Sequence, residues 1–136
     1  MTVQKGVLYN SMVITRLKDG QRMMTAEEIG AQFKALGDVT RLRILALLSQ
    51  REYCNCELVD IFGISQPAIS RHMARLKEAR LIFETRRGQW IYYRLNAAMF
   101  ALGQALEDLL KTLCETDSLV RQALLHPPTC SVPELS

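Results

Sequence analysis

No stretch of the 136-residue sequence approaches the roughly 20 consecutive apolar residues that a bilayer-spanning helix requires. The N-terminus lacks the basic-then-apolar pattern of a secretory signal. Together these absences predict a cytoplasmic protein with no membrane partner. An excess of one charge sign is also missing. The 17 Lys and Arg face 14 Asp and Glu, a net +3, so only the distribution of charge can point to nucleic acid. Cysteine is scarce: four in the chain are too few for a secreted disulfide scaffold and predict thiols, ligands or sensors in a reducing compartment. There is no C-x-x-C and no nucleophile with an evident paired base, which leaves little for a thiol enzyme. What remains is ordinary, with 49% apolar and 23% charged residues in one domain long enough to bury a core.

Local signals divide the chain into an arm (residues 1–24), a folded domain (25–115) and a tail (116–136). In the arm, neither helical nor strand periodicity wins. Thr25 with Glu28 forms a capping-box pattern, Ile29, Phe33 and Leu36 recur on one face, and Gly37 ends the helix. Asp38 caps a second helix through Leu48, with Leu42, Leu45, Ala46 and Leu48 inward and Arg41 and Arg43 solvated. A third helix runs from about Cys56 to Phe62 behind Asn55, and Gly63 terminates it. Ser65 caps the fourth, with Pro67 in its first turn, where no amide hydrogen is missed. Ile69, Met73 and Leu76 form its inward stripe.

From Leu81 to Leu95 the residues turn β-branched and aromatic, and Arg87-Gly88 suits a tight hairpin turn. The fold class is therefore mainly α, a winged helix-turn-helix with a two-stranded β wing. A last long helix runs from Asn96 to about Glu115. Met99, Leu102, Leu106, Leu109 and Leu113 alternate at spacings of three and four along it. That seam, with Ile29 and Phe33 of the first helix, predicts a homodimer interface. Packing within the chain is the alternative use of the same stripe. A short helix from Ser118 to Leu125 then leads to His126-Pro127-Pro128 and a tail holding Cys130.

Helix-turn-helix units also serve as protein-binding modules, so DNA needs separate support. The start of the fourth helix offers Ser65, Gln66 and Ser70, residue types that bond base edges. Arg71 and Arg75 lie on its outward arc, and Arg86 and Arg87 sit at the wing tip, where phosphates would be met. A solvated face explains any one of these arginines but explains their clustering poorly. The predicted partner is double-stranded operator DNA. His72 reads as a boundary residue with a local hydrogen bond, and Trp90, Tyr92 and Tyr93 as packing.

Buried, inert thiols are the default reading for Cys114 and Cys130. Cys54 and Cys56 differ, because they stand at a helix start. There the positive dipole end and nearby Arg51 favour the thiolate, which selects soft ions. Residues two apart point about 200° apart on a helix but the same way in an extended segment. An ion gripped by both sulfurs would therefore compete with regular geometry in this first turn, which supports the DNA-reading helix.

The segments A-L-G-D-V-T-R-L-R-I-L-A-L-L, C-N-C-E-L, S-Q-P-A-I-S-R-H-M-A-R-L and R-R-G-Q-W-I-Y-Y-R-L together resemble the ArsR/SmtB family of metalloregulatory repressors, within it the arsenical-resistance repressors. The resemblance covers about Glu27 to Leu113. It implies a homodimeric repressor with no constitutive cofactor. Arsenite, antimonite or methylarsenite, bound at Cys54 and Cys56, would release it from its operator. Where the arsenite branch has a third cysteine, this chain has Val59; Cys114, Cys130 or a small-molecule thiol could stand in, or two thiolates could suffice. Residues 1–53 hold no cysteine, unlike the cadmium/lead branch, and no histidine lies between Asn96 and Leu125, unlike the zinc sensors. A redox-responsive repressor (disulfide or persulfide) and a sensor of a soft divalent metal such as Cd, Pb or Zn remain the alternatives.

Overall fold

A computed structural model describes residues 23–128. Nearly all of the arm, and the tail from residue 129 with Cys130, lie outside the described residues. Helix α1 (Ala26–Leu36) starts at Thr25 with a complete capping box: the Glu28 amide donates to Thr25 Oγ1 at 3.1 Å, and the Thr25 amide donates to the Glu28 carboxylate at 3.0 Å. Helix α2 (Val39–Leu48) starts at Asp38, whose carboxylate accepts from the Arg41 amide. Ile44 through Leu48 are all buried, which makes α2 the axis of the core. The inward set is wider than one stripe because α1, α4 and α5 all pack around it, and the expected Leu42 is only half-buried.

Next come a two-residue strand β1 (Tyr53–Cys54), α3 (Asn55–Phe62) and α4 (Gln66–Glu78). Gly63, at φ 62°, supplies the left-handed residue that ends α3. Ser65 Oγ then accepts from the Ala68 amide to open α4. Strands β2 (Ile82–Arg87) and β3 (Trp90–Leu95) pair antiparallel with Arg87 opposite Trp90. The turn is therefore Gly88-Gln89, one residue later than expected, with Gly88 at φ 63°. The sheet has three strands, not two, in the order β1-β3-β2. Strand β1 joins the free edge of β3 with Tyr53 opposite Tyr93 and Cys54 opposite Tyr92.

The expected long last helix is interrupted. A 3-10 turn (Ala97–Met99) is followed by a break at Gly103, φ 58°, before α5 (Gln104–Thr116) begins. Asp117 ends α5 and caps α6 (Ser118–Leu125) by accepting from the Val120 amide at 3.1 Å. Helices α5 and α6 both pack on α2.

Gln32 explains the path after the wing. It is buried to 1% exposure in α1. Its Nε2 donates to the carbonyls of Ala79 (3.0 Å) and Met99 (2.6 Å), and its Oε1 accepts from the Ala101 amide (2.7 Å). One side chain thus ties α1 to the end of α4 and to the break before α5. Gln32 and Ala35, not Phe33, face the core, and Phe33 is 52% exposed.

Candidate nucleic-acid interface and thiol site

The reading helix is built as its sequence requires. Ile69, Met73 and Leu76 are buried, which fixes the rotation of α4. Ser65, Gln66, Pro67, Ser70, Arg71, Ala74 and Arg75 are consequently exposed along one side. Arg71, Arg75 and the wing residue Arg86 are exposed and have no ion-pair partner among the described residues. Three cations and two hydroxyls beside a glutamine form a surface that can meet phosphates and base edges. Arg87 differs from the expectation for a free tip residue. It forms an ion pair with Glu52 at 2.7 Å and lies over the Tyr92 ring at 4.6 Å. The guanidinium serves as a latch between the wing and the segment before β1.

His72 is half-buried, with Nδ1 3.3 Å from Arg41 Nη1 and 3.7 Å from Asp38, as a boundary residue should be. Arg41 itself is not solvated: its Nε donates to the Ala35 carbonyl at 2.7 Å. Arg43 keeps part of its side chain in solvent and pairs with Asp117 at 3.0 Å. Both long side chains were expected at the surface because spacing shows direction but not what later elements lay over it. Tyr92 and Tyr93 are buried and Trp90 is half-buried, in keeping with packing roles. Burial pushes the Tyr93 phenol up to about 12.

The two cysteines straddle a change of backbone. Cys54 is extended (φ −92°, ψ 161°) and is the N-cap of α3, one residue ahead of the expected Asn55. Cys56 lies within the first helical turn. Only one of the two is helical, so the expected conflict between a regular turn and a shared ion is confined to Cys56. The Cys54 amide donates to Glu57 Oε1 at 3.0 Å. Glu57 is held in turn by Arg51 at 2.8 Å, and the Arg51 guanidinium stacks on Tyr53 at 3.7 Å.

Cys54 is 0% exposed. Burial, the largest influence, raises its thiol above the ordinary value, although the amides of Glu57 and Cys56 work the other way. This corrects the expectation of a stabilised thiolate. The helix start does favour the anion, but Arg51 is engaged by Glu57, and desolvation wins.

Cys56 is half-buried and lines a cleft of about 380 Å³ with Asn55, Val59, Gln66, Gln89 and Trp90. That cleft joins the thiol helix, the start of the reading helix and the wing. Cys54 and Cys114 are free thiols. Cys114 is half-buried against α2, its Sγ donating to the Ala46 carbonyl at 3.4 Å, which fits an inert packing thiol. No group of three or more His, Cys, Asp or Glu able to hold a metal occurs among the described residues.

The residues of the predicted dimer face divide. Phe33 (52%), Leu102 (39%) and Leu109 (49%) are exposed. Ile29, Met99 and Leu113 are half-buried. Leu106, at 1%, is used in the chain's own core. The sequence reading missed β1, the Glu52–Arg87 latch and Gln32. A two-residue strand has no periodicity to detect, and an isolated charge pair 35 residues apart leaves no local signal.

The profile of a family described as bacterial regulatory protein, arsR family, matches residues 38–83. The chain is 49% identical over 65 residues to the arsenic resistance transcriptional regulator ArsR1 of Pseudomonas putida, a match covering 47% of this chain but only 51% of that regulator. It is 37% identical over 90 residues to the arsenical resistance operon repressor of Staphylococcus aureus, covering 66% of this chain and 81% of the repressor. Among solved structures it resembles a homodimeric winged helix-turn-helix DNA-binding domain from Mycobacterium bovis, a possible ArsR-family regulator. The TM-score is 0.54 at 25% identity, over 68% of this chain and 82% of that one.

Proposed function

From the premise that this chain belongs to the arsR family of bacterial regulatory proteins, we propose that it is a homodimeric repressor of an arsenic-resistance operon, released from operator DNA when trivalent arsenic or antimony binds Cys54 and Cys56. The position of Cys54 carries the reading. It is at once the N-cap of α3, which packs on the reading helix, and the strand partner of Tyr92 in the wing. Drawing its sulfur toward an ion shared with Cys56 disturbs both attachments. The cap on α3 loosens and so does the β1–β3 pairing, which the Glu52–Arg87 latch extends along the wing. DNA and inducer then favour different states of one junction, with a coupling of about 1–3 kcal/mol. The names of the relatives supply the inducer class, and trivalent arsenic is a soft centre suited to thiols.

A redox-responsive repressor is the second reading, favoured by the closeness of Cys54 and Cys56 at the start of α3. Fluorescence anisotropy of labelled operator DNA separates the two. Under a phosphine reductant, arsenite releases the wild type, while Cys54→Ser and Cys56→Ser bind DNA within about threefold of wild type and no longer respond. Release by peroxide with no response to arsenite would support the redox reading. Release of both variants at wild-type arsenite concentrations would refute the arsenic site.

A further inference from the structure

The cleft beside Cys56 is walled in part by an acceptor that has no donor. Asn55 Oδ1 is the only buried side-chain nitrogen or oxygen among the described residues without a hydrogen-bond partner. A buried acceptor left unmatched loses its hydration without a replacement, so nearly all such atoms meet a donor. Asn55 stands between Cys54 and Cys56 in the chain. It lines the cleft of about 380 Å³ together with Cys56, Val59 and Trp90. Cys54 approaches from the same side of the sheet. It lies opposite Tyr92, directly opposed residues share a face, and Trp90, two residues before Tyr92, shares that face too. Two thiols fill two of the three positions on trivalent arsenic. Val59, one turn after Cys56 in the same cleft, carries no donor atom for the third. Cys114, the remaining described cysteine, packs against α2 with its sulfur donating to the Ala46 carbonyl.

We propose that the third position on arsenic keeps its hydroxyl and that Asn55 Oδ1 accepts the hydrogen bond from it, so that Asn55 selects inorganic arsenite over methylated arsenic. The inference rests on the arsenic reading above and completes its ligand set. The exchange balances without a change of oxidation state. Arsenite, As(OH)₃, gives up two As–O bonds for two As–S bonds. The two thiol protons leave with two hydroxides as water, and one As–O–H group stays. Methylarsenite, CH₃As(OH)₂, loses both hydroxyls to the same two thiols and keeps nothing to donate. A site with a buried acceptor disfavours the analogue that lacks the matching hydroxyl. Gln66, the first residue of the reading helix, lines the same cleft, so the retained hydroxyl would sit next to the DNA-reading element.

The test uses the full chain, reduced with a phosphine that is then removed, and loaded with arsenite in thiol-free buffer. X-ray absorption at the arsenic edge counts sulfur and oxygen neighbours, and operator release is followed by anisotropy. The wild type should show two sulfurs and one oxygen. Asn55→Leu, similar in shape but without an acceptor, should bind operator as the wild type does. It should need about tenfold more arsenite for half-release, yet no more methylarsenite than the wild type. Asn55→Asp, which restores an acceptor, should recover most of the arsenite response. Three sulfurs in the wild type would overturn the proposal while leaving the thiol pair standing. So would release of Asn55→Leu at wild-type arsenite concentrations, or an equal loss toward both inducers, because Asn55 would then only shape the thiols. An Asn55→Asp protein no better than Asn55→Leu would count against it in the same way. Release of Cys54→Ser or Cys56→Ser at wild-type arsenite concentrations would instead remove the reading beneath it.

Discussion

At Cys54, burial and the start of a helix act in opposite directions on one sulfur. Burial dominates and holds the thiol protonated near neutrality. This has a consequence that distinguishes inducers. Neutral arsenite carries the thiol protons away as water, so its affinity should stay flat between about pH 6 and 8, where the thiol remains protonated. A divalent cation must displace those protons into solution, and its affinity should rise with pH, about tenfold per unit for each proton released. Calorimetric titrations with arsenite and with cadmium check this; an arsenite affinity that falls as pH rises would mean that a thiolate is already present, because binding would then take up a proton. Single residues were unevenly legible. Thr25, Asp38, Gly63 and Ser65 announced their caps because capping chemistry is local. Gln32 did not, because its three partners lie 47 to 69 residues away.

Among the elements, α4 and the wing carry the cations that the proposed function assigns to DNA, and they do so unequally. Arg71, Arg75 and Arg86 are exposed, but Arg87 is committed to Glu52. Replacing Arg71 or Arg75 with Ala should weaken binding on every sequence and flatten the dependence of log affinity on log salt by about 0.9 for each phosphate no longer neutralised. Gln66→Ala should cost about 1–3 kcal/mol at one base pair and leave the salt slope unchanged. Affinities measured across a salt series on operator and scrambled DNA separate these outcomes, and a steep salt slope that survives replacement of both arginines would remove α4 from the phosphate-binding surface. Elements with several periodic residues were readable from the sequence. The two-residue β1 was not, and neither was the break at Gly103, whose only local trace is a glycine inside an apolar repeat.

For the molecule as a whole, the apolar residues left outside the core set the expectation of a dimer. The hydrogen bond from Ala101 to Gln32 joins the neighbours of Leu102 and Phe33 in sequence, so α1 and the approach to α5 lie side by side with exposed apolar groups. Large apolar side chains left open in this way mark an association surface. Leu109→Glu should give a monomer by analytical ultracentrifugation, with far-UV dichroism unchanged and operator affinity abolished. A dimer that persists would assign the face elsewhere. Leu106→Glu, by contrast, should unfold the chain, since that residue belongs to the core. The seam of five apolar residues was visible from spacing. Which of them face outward depended on the packing of α5 against α2, which spacing cannot show.

The central claim, that one strand–helix junction is shared by inducer and DNA, is tested most directly by amide hydrogen exchange of the reduced dimer with and without arsenite. The account predicts faster exchange on loading at the first turn of α3 and at Tyr92 and Tyr93 opposite β1, with the core of α2 unchanged. Release of DNA with protection at those amides identical in the two states would contradict it.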